Sequence, residues 1–209
     1  MNIAVFVSGG GTNLQAIIDS INSGTLQNIN ISVVIASRDG IYALERARKN
    51  DIPFIVISNK SYDNENDFDN ALTDALEGRE IDLVVLAGYL SKLGPGFIRK
   101  YTNRIINIHP SLIPSFCGDG MFGIKPHKEA IRRGVKITGA TVHFVEHDYD
   151  NGPIIIQKAV CVKDEDTPET LQIRVMEEAE RLILPEAIGY FRDNRIRITA
   201  DGRRTVILS

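Results

Sequence analysis

Short apolar runs alternate with amphipathic stretches through the first half of the chain. Asn2–Val7 is apolar from Ile3 onward and reads as a strand running into Ser8-Gly9-Gly10-Gly11. Beyond the glycines, Leu14, Ile17, Ile18 and Ile21 recur at i, i+3, i+4 and i+7, which lines one face of a helix. Thr12-Asn13-Leu14-Gln15 has capping-box spacing, with Thr12 as N-cap, and Gly24 ends the helix. Strands are predicted next at 31–36, 53–57, 83–86 and 104–108, and helices at 41–50, roughly 64–78 and 95–101. Leu83–Leu86 has no polar alternation, as expected of a strand covered on both faces. The strand–helix rhythm with short connections predicts an α/β fold, a doubly wound and mostly parallel sheet with helices on both faces.

The second half changes character. Residues 111–125 contain Gly, Pro and Phe without periodicity and read as a long loop beside the sheet. Pro126 suits the first turn of a helix reaching Arg133. Strand-like runs at 138–145 and 153–162 are joined by the acidic turn His147-Asp148-Tyr149-Asp150-Asn151-Gly152. Thr167-Pro168 is an N-cap followed by proline at the first helical position, and Pro185 should kink or break the helix that follows. Runs at 195–198 and 205–208 around Ala200-Asp201-Gly202 read as a short C-terminal hairpin. The 209 residues are read as one domain, 1–107 forming a phosphate-binding half and 108–209 a catalytic half.

Composition narrows the function. A formal net charge of -3 gives no basic footprint for duplex nucleic acid and does not exclude a small phosphorylated substrate, which needs only a local site. No basic leader precedes the first strand, and no window approaches the roughly 18 apolar residues of a membrane span, so the chain reads as cytoplasmic. Cys117 and Cys161 lie far apart without metal or redox spacing and read as reduced thiols.

Two constellations carry chemistry. Ser8-Gly9-Gly10-Gly11-Thr12-Asn13 joins a strand to a helix N-terminus, where backbone N–H groups and the helix dipole favour an anion. The third position of a dinucleotide fingerprint falls on Leu14, Ser37-Arg38 stand where an acidic residue would close the second strand, and no Lys-Ser/Thr completes a P-loop. A monophosphate site is the functional reading, a bare turn the alternative. The second constellation is Asn107-Ile108-His109-Pro110, at the end of a parallel strand where ligands of open α/β sheets bind. Side-chain alternation puts Asn107 and His109 on one face. An amide and a protonated imidazole could both hydrogen-bond the oxyanion that develops when an amine attacks a formyl carbon. A carboxylate nearby would raise the pKa of His109, and Asp150 is the best candidate. His127 and His143 read as structural or pocket-lining. His143 and His147 have i,i+4 spacing, but in a strand and turn, so no metal is predicted.

Asn107-Ile108-His109-Pro110-Ser111-Leu112-Ile113-Pro114, Gly139-Ala140-Thr141-Val142-His143-Phe144-Val145 and Asp150-Asn151-Gly152-Pro153 together resemble the 10-formyltetrahydrofolate-dependent formyltransferases over most of the chain. The resemblance implies a seven-stranded sheet and 10-formyltetrahydrofolate as co-substrate. The glycine-rich opening is similar to that of members acting on glycinamide ribonucleotide in purine biosynthesis. It implies His109 as proton donor, Asp150 orienting it, and Asn107 stabilising the tetrahedral intermediate. Gly11, Thr12 and Asn13 would hold the phosphate and Glu180 the ribose. Leu90, Ser91, Lys92, Leu93, Asn107 and Val145 would hold the folate. Ser91 stands where the family often has arginine, and an arginine usual near Asn64-Glu65 is absent, so Lys60 or Lys92 is expected to serve the glutamate tail. Residues 115–124 form a longer stretch than in shorter members, and His147 replaces an acidic or apolar residue. A homodimer is left open.

Three rivals share part of this pattern. A formyltetrahydrofolate deformylase has the same trio but an extra N-terminal domain, whereas the first strand here starts at Asn2. Methionyl-tRNA formyltransferases carry a further C-terminal domain and a basic surface. A nucleotide-binding module or nicotinamide oxidoreductase conflicts with the broken glycine fingerprint.

Overall fold

The first apolar run forms strand β1 (Asn2–Val7), and the glycines after it lead into helix α1 (Thr12–Asn22). They are followed by β2 (Asn30–Ala36), α2 (Tyr42–Lys49), β3 (Phe54–Val56), α3 (Glu65–Leu76), β4 (Leu83–Leu86), α4 (Pro95–Lys100) and β5 (Ile105–His109). A 3₁₀ turn at Asn59–Ser61, which no periodicity announces, precedes α3. The structure is a computed structural model and describes residues 1–208; its chain divides into two compact units between Asn107 and Ile108.

In the first unit β1 lies between β2 and β4, and every pairing among β1 to β5 is parallel. The chain steps from β1 outward to β3, then returns to β4 on the other side of β1. Right-handed crossovers in opposite directions put the connecting helices on opposite faces. The packing agrees, since α1 lies against α2 and α3 against α4. The reversal at β1 makes the carboxyl ends of β1 and β4 the switch point, where such sheets hold ligands. Phe6, from the middle of the apolar run, is fully buried between Tyr89 and Phe97, with ring centroids 5.2 and 5.8 Å away. Burying a side chain of this size contributes about 1.5–3 kcal/mol.

The segment after β4 is fixed by a buried carboxylate. Helix α4 starts at Gly94 without a cap of its own, and Asp69 of α3 accepts the Gly94 and Phe97 N–H groups at 2.8 and 2.9 Å. A Cβ at Gly94 would stand 2.5 Å from that carboxylate, so the position requires glycine for space.

The second unit holds α5 (Lys125–Arg133), β6 (Ile137–Phe144), β7 (Ile154–Cys161), α6 (Pro168–Val175), α7 (Arg181–Arg192) and an antiparallel hairpin, β8 (Ile196–Ile198) with β9 (Thr205–Ile207). Strands β6 and β7 are antiparallel. The seven strands of the sheet run in the order β3-β2-β1-β4-β5-β6-β7, the mostly parallel, doubly wound arrangement expected.

One local expectation fails, and a second, the disturbance of the helix by Pro185, takes a form other than a break. Thr12 is not an N-cap: Gly11 takes that place with φ +71°, and Gln15 bonds Asp19 and Arg46 instead. Pro185 does not end its helix. Thr167 caps α6 as predicted, but Met176–Glu180 form a π-helical turn before α7, which continues through Pro185 to Arg192. The wider turn, in which the Arg181 N–H reaches the Met176 carbonyl, accommodates the disturbed ladder just ahead of the proline. Among the described residues no helix is long and apolar enough to cross a membrane.

Candidate active site

The glycine loop sits at the switch point of the first unit. Its carbonyls are turned inward: those of Gly9, Gly10 and Gly11 accept from Ala43 N–H, Arg46 Nε and Gln15 N–H at 3.2, 2.8 and 2.9 Å. The helix that follows begins at Thr12, so its first N–H groups belong to the stretch from Thr12 onward. Only Gly11 is required by packing, since a Cβ there would meet Ala43 at 2.7 Å; Gly9 and Gly10 have open space beside them. Buried Ser8 ties the loop to the segment after β4, its hydroxyl accepting from Ser37 Oγ at 2.7 Å and from Leu90 N–H at 2.9 Å. Leu90 remains 54 % exposed beside it, Ser91 is half-buried, Lys92 is exposed, and Leu93 is buried.

Along β5, Asn107 is half-buried and His109 buried, two residues apart and on the same side of the strand. The chain leaving β5 is clamped by Thr141 of β6, whose hydroxyl donates to the Ser111 carbonyl at 2.7 Å and accepts from Ile113 N–H at 3.1 Å. The Ile113–Pro114 peptide is cis. This clamp carries Phe116 to His109, where the Phe116 carbonyl accepts from Nε2 at 3.0 Å. The other nitrogen, Nδ1, lies 3.3 Å from Asp150 Oδ2. Asp150, at φ +52° in the turn after β6, also accepts the Gly118 N–H at 2.9 Å. The second unit thus joins His109 and Asp150 as the sequence predicts, and Gly118 and Phe116 hold them from the backbone.

Glu180 is buried as the last residue of the π-helical turn, and Val145 is half-buried just after β6. No group of three or more His, Cys, Asp or Glu side chains among the described residues is arranged to hold a metal ion. Cys117 and Cys161 are free.

Residues 1–188 match the family described as Formyl transferase. The chain belongs to that family. Among relatives of this formyl transferase, a Haemophilus influenzae protein named phosphoribosylglycinamide formyltransferase is 39% identical over 196 residues, covering 94% of this chain and 89% of its own. A Bos taurus trifunctional purine biosynthetic protein, adenosine-3, is 42% identical over 201 residues, and the chain spans only 19% of its length. The crystal structure of glycinamide ribonucleotide transformylase 1 from Symbiobacterium toebii superposes with a TM-score of 0.92 at 42% identity, covering 100% of this chain and 94% of that one.

The formyl transferase site contains more histidine than the sequence reading assigns to it. His143, read as structural or pocket-lining, donates from Nδ1 to its neighbour's carbonyl at Phe144 at 2.7 Å, and its Nε2 lies 3.5 Å from Asp150 Oδ1. Asp150 is therefore flanked by two imidazoles. The available signal was strand parity, which places His143 on the same face as Thr141 of the clamp. Burial alone would push the Asp150 carboxyl up, but the His143 hydrogen bond, the His109 charge and the Gly118 N–H outweigh it and hold the group below its ordinary value. His109 departs from expectation. Burial pulls its pKa down by more than the Asp150 carboxylate and the Phe116 carbonyl restore, and His143 lowers it further, so the net shift is downward. The imidazolium, once formed, is the stronger acid for it.

His127 on α5 is buried, and burial first, then the charge of His109, pushes its pKa down to about 4 from 6.5. A histidine held neutral in the fold and free to charge when unfolded makes the unfolded chain bind more protons between those values. Stability is then full above pH 6.5 and declines as pH falls toward 4, by about 3 kcal/mol in all. Urea unfolding at pH 7 and pH 5 should show His127→Gln losing less stability than the parent by about 2 kcal/mol; identical losses would show that His127 does not carry this dependence.

Proposed function

We propose that this formyl transferase moves the formyl group of 10-formyltetrahydrofolate onto the amine of glycinamide ribonucleotide, a step of purine biosynthesis in the cytoplasm. The observation that carries the reading is His109, held between the Phe116 carbonyl and the Asp150 carboxylate, with Asn107 two residues before it on β5. The names of the Haemophilus influenzae and Symbiobacterium toebii relatives support the choice of acceptor.

In this reading the amine attacks the formyl carbon, and negative charge develops on the formyl oxygen. The Asn107 amide and the His109 imidazolium stabilise that charge, Nε2 exchanging the Phe116 carbonyl for the formyl oxygen, and His109 serves as proton donor. Asp150 orients the imidazole and compensates its charge in a site where burial opposes ionisation. Gly11, Thr12 and Asn13 are assigned to the phosphate, in keeping with the occupied glycine carbonyls and a helix N-terminus at Thr12. We assign Glu180 to the ribose. For the folate we assign Leu90, Ser91, Lys92, Leu93, Asn107 and Val145. The exposed leucine beside the glycine loop suits an aromatic pterin. Lys60 or Lys92 is assigned to the glutamate tail.

Purified protein given glycinamide ribonucleotide and 10-formyltetrahydrofolate should yield the formylated ribonucleotide, followed by chromatography and mass. Release of free formate with no formylated product would replace the transferase reading with a hydrolytic one.

A further inference from the structure

Arg46 of α2 is the charged group built into the glycine loop. Its Nε donates to the Gly10 carbonyl at 2.8 Å, and its Nη1 donates to Gln15 Oε1, in the first turn of α1, at 2.9 Å. One guanidinium therefore holds the chain on both sides of Gly11, Thr12 and Asn13. Tyr42, one turn earlier on α2, restrains it further, with Cζ 4.9 Å from the ring centroid. Arg46 is half-buried, and among the described residues no carboxylate pairs with it. Its charge is left for an anion from outside the chain. The bond to Gly10 also does more than hold position. The Gly10 carbonyl and the Gly11 N–H belong to one trans peptide unit, so the N–H points away from the oxygen that Arg46 grips. That N–H has no acceptor among the described residues. A charged donor on the oxygen polarises the amide and strengthens its N–H as a donor on the other side.

We infer that Arg46 is a positioning residue for the substrate phosphate, fixing the Gly10–Gly11 peptide on its carbonyl side and making the Gly11 N–H a stronger phosphate donor. The inference rests on the assignment of the phosphate to Gly11, Thr12 and Asn13. None of those residues carries a formal charge, whereas a phosphate monoester is close to a dianion at neutral pH. Arg46 supplies the missing positive charge through the loop. The packing that brings it there also dictates the residue at the turn. Gly11 is at φ +71°, and an added Cβ would lie 3.3 Å from Arg46 Cδ and 2.7 Å from Ala43 Cβ. The close approach of the guanidinium and the left-handed turn at Gly11 are thus one arrangement. Lysine would keep the charge but lose the planar fork that reaches Gly10 and Gln15 together.

The test compares the parent with Arg46→Met and Arg46→Lys, using inorganic phosphate and glycinamide ribonucleotide as probes. In protein labelled with ¹⁵N-glycine, phosphate should move the Gly11 amide signal downfield in the parent. In Arg46→Met the same movement should need about 10-fold more phosphate, as expected for losing one hydrogen bond to a charged group. KM for glycinamide ribonucleotide should rise by a similar factor, with KM for 10-formyltetrahydrofolate and kcat within about 2-fold of the parent, because His109 and Asp150 are held by other residues. Arg46→Lys should recover only part of the loss. The phosphate titration needs no turnover, so a parent that binds phosphate at Gly11 but transfers no formyl group overturns the formyl-transfer reading alone. No movement of Gly11 in the parent overturns the inference together with the phosphate assignment. Parent-like phosphate affinity in Arg46→Met overturns the inference, as does a fall in kcat with the ribonucleotide KM unchanged. Full rescue by lysine also overturns it, since charge would then suffice without the clamp. Circular dichroism follows folding throughout, and if Arg46→Met does not fold, the affinity of Arg46→Lys decides by the same criterion.

Discussion

Asp150→Asn is expected to lower kcat by about 10²–10³ while leaving glycinamide ribonucleotide binding within a few-fold of the parent. The carboxylate does three things that an amide cannot do together. Oδ2 accepts the Gly118 N–H at 2.9 Å and faces His109 Nδ1 at 3.3 Å, and Oδ1 faces His143 Nε2 at 3.5 Å. In asparagine one of these positions becomes an NH₂ donor. If it replaces Oδ2, it meets two donors; if it replaces Oδ1, it meets the imidazole of His143. In either rotamer the negative charge is gone. Burial already lowers the His109 pKa, with Asp150 opposing it, so removing that charge depletes the imidazolium further. The pH profile should move accordingly: the limb that reports the protonated acid should shift to lower pH in the variant. The glycine loop is built by Ala43, Arg46 and Gln15 in the first unit, so phosphate binding has no reason to follow. Turnover near the parent's, measured at saturating substrates, would remove Asp150 from the chemistry. A loss of ribonucleotide binding by titration calorimetry would point instead to a general disturbance.

Much of this arrangement was legible because side-chain parity and loop chemistry are local properties. Strand alternation alone placed Asn107 and His109 together, and the glycine run between β1 and α1 offered a candidate anion site. What was not legible depends on contacts that the local letters do not encode. The Thr12 capping box is displaced because Gly11 packs against Ala43 some thirty positions away and must adopt a left-handed conformation to do so. The supports of His109 and Asp150 at Phe116 and Gly118 are backbone atoms, and any residue there would present the same carbonyl or N–H. His143 was undervalued because its spacing to His147 invited a comparison with metal pairs, while its real partner lies across the turn. The sign of the His109 shift was missed because the carboxylate is visible as a letter and burial is not. Pro185 obeyed the rule that proline disturbs a helix, yet the disturbance was absorbed in a π-helical turn ending on Glu180.

The largest structural effect is expected from the turn that brings Asp150 home. Gly152→Ala should destabilise the protein by about 3 kcal/mol or more, which for a chain of this size corresponds to a fall in Tm of roughly 6–12 °C. The reason is space and not dihedral freedom. A Cβ at Gly152 would lie 2.0 Å from the Phe144 carbonyl oxygen and 2.9 Å from its carbon, both backbone atoms of β6. That strand end cannot retreat without cost, because the Phe144 N–H donates to the Pro153 carbonyl at 2.9 Å. The same Phe144 oxygen accepts from His143 Nδ1, and His143 Nε2 faces Asp150. A methyl group inserted there pushes on the carbonyl, then on the imidazole, then on the carboxylate that serves His109. Activity should therefore fall by more than the unfolded fraction explains, even at temperatures where circular dichroism shows the variant fully folded. Gly24→Ala is the comparison: Gly24 has φ +75° but nothing within 4 Å of an added Cβ, so it should lose only the left-handed penalty of about 1–2 kcal/mol and keep its turnover. If Gly152→Ala matches Gly24→Ala in both stability and kcat, the turn is only a turn, and the path from its glycine to Asp150 does not exist.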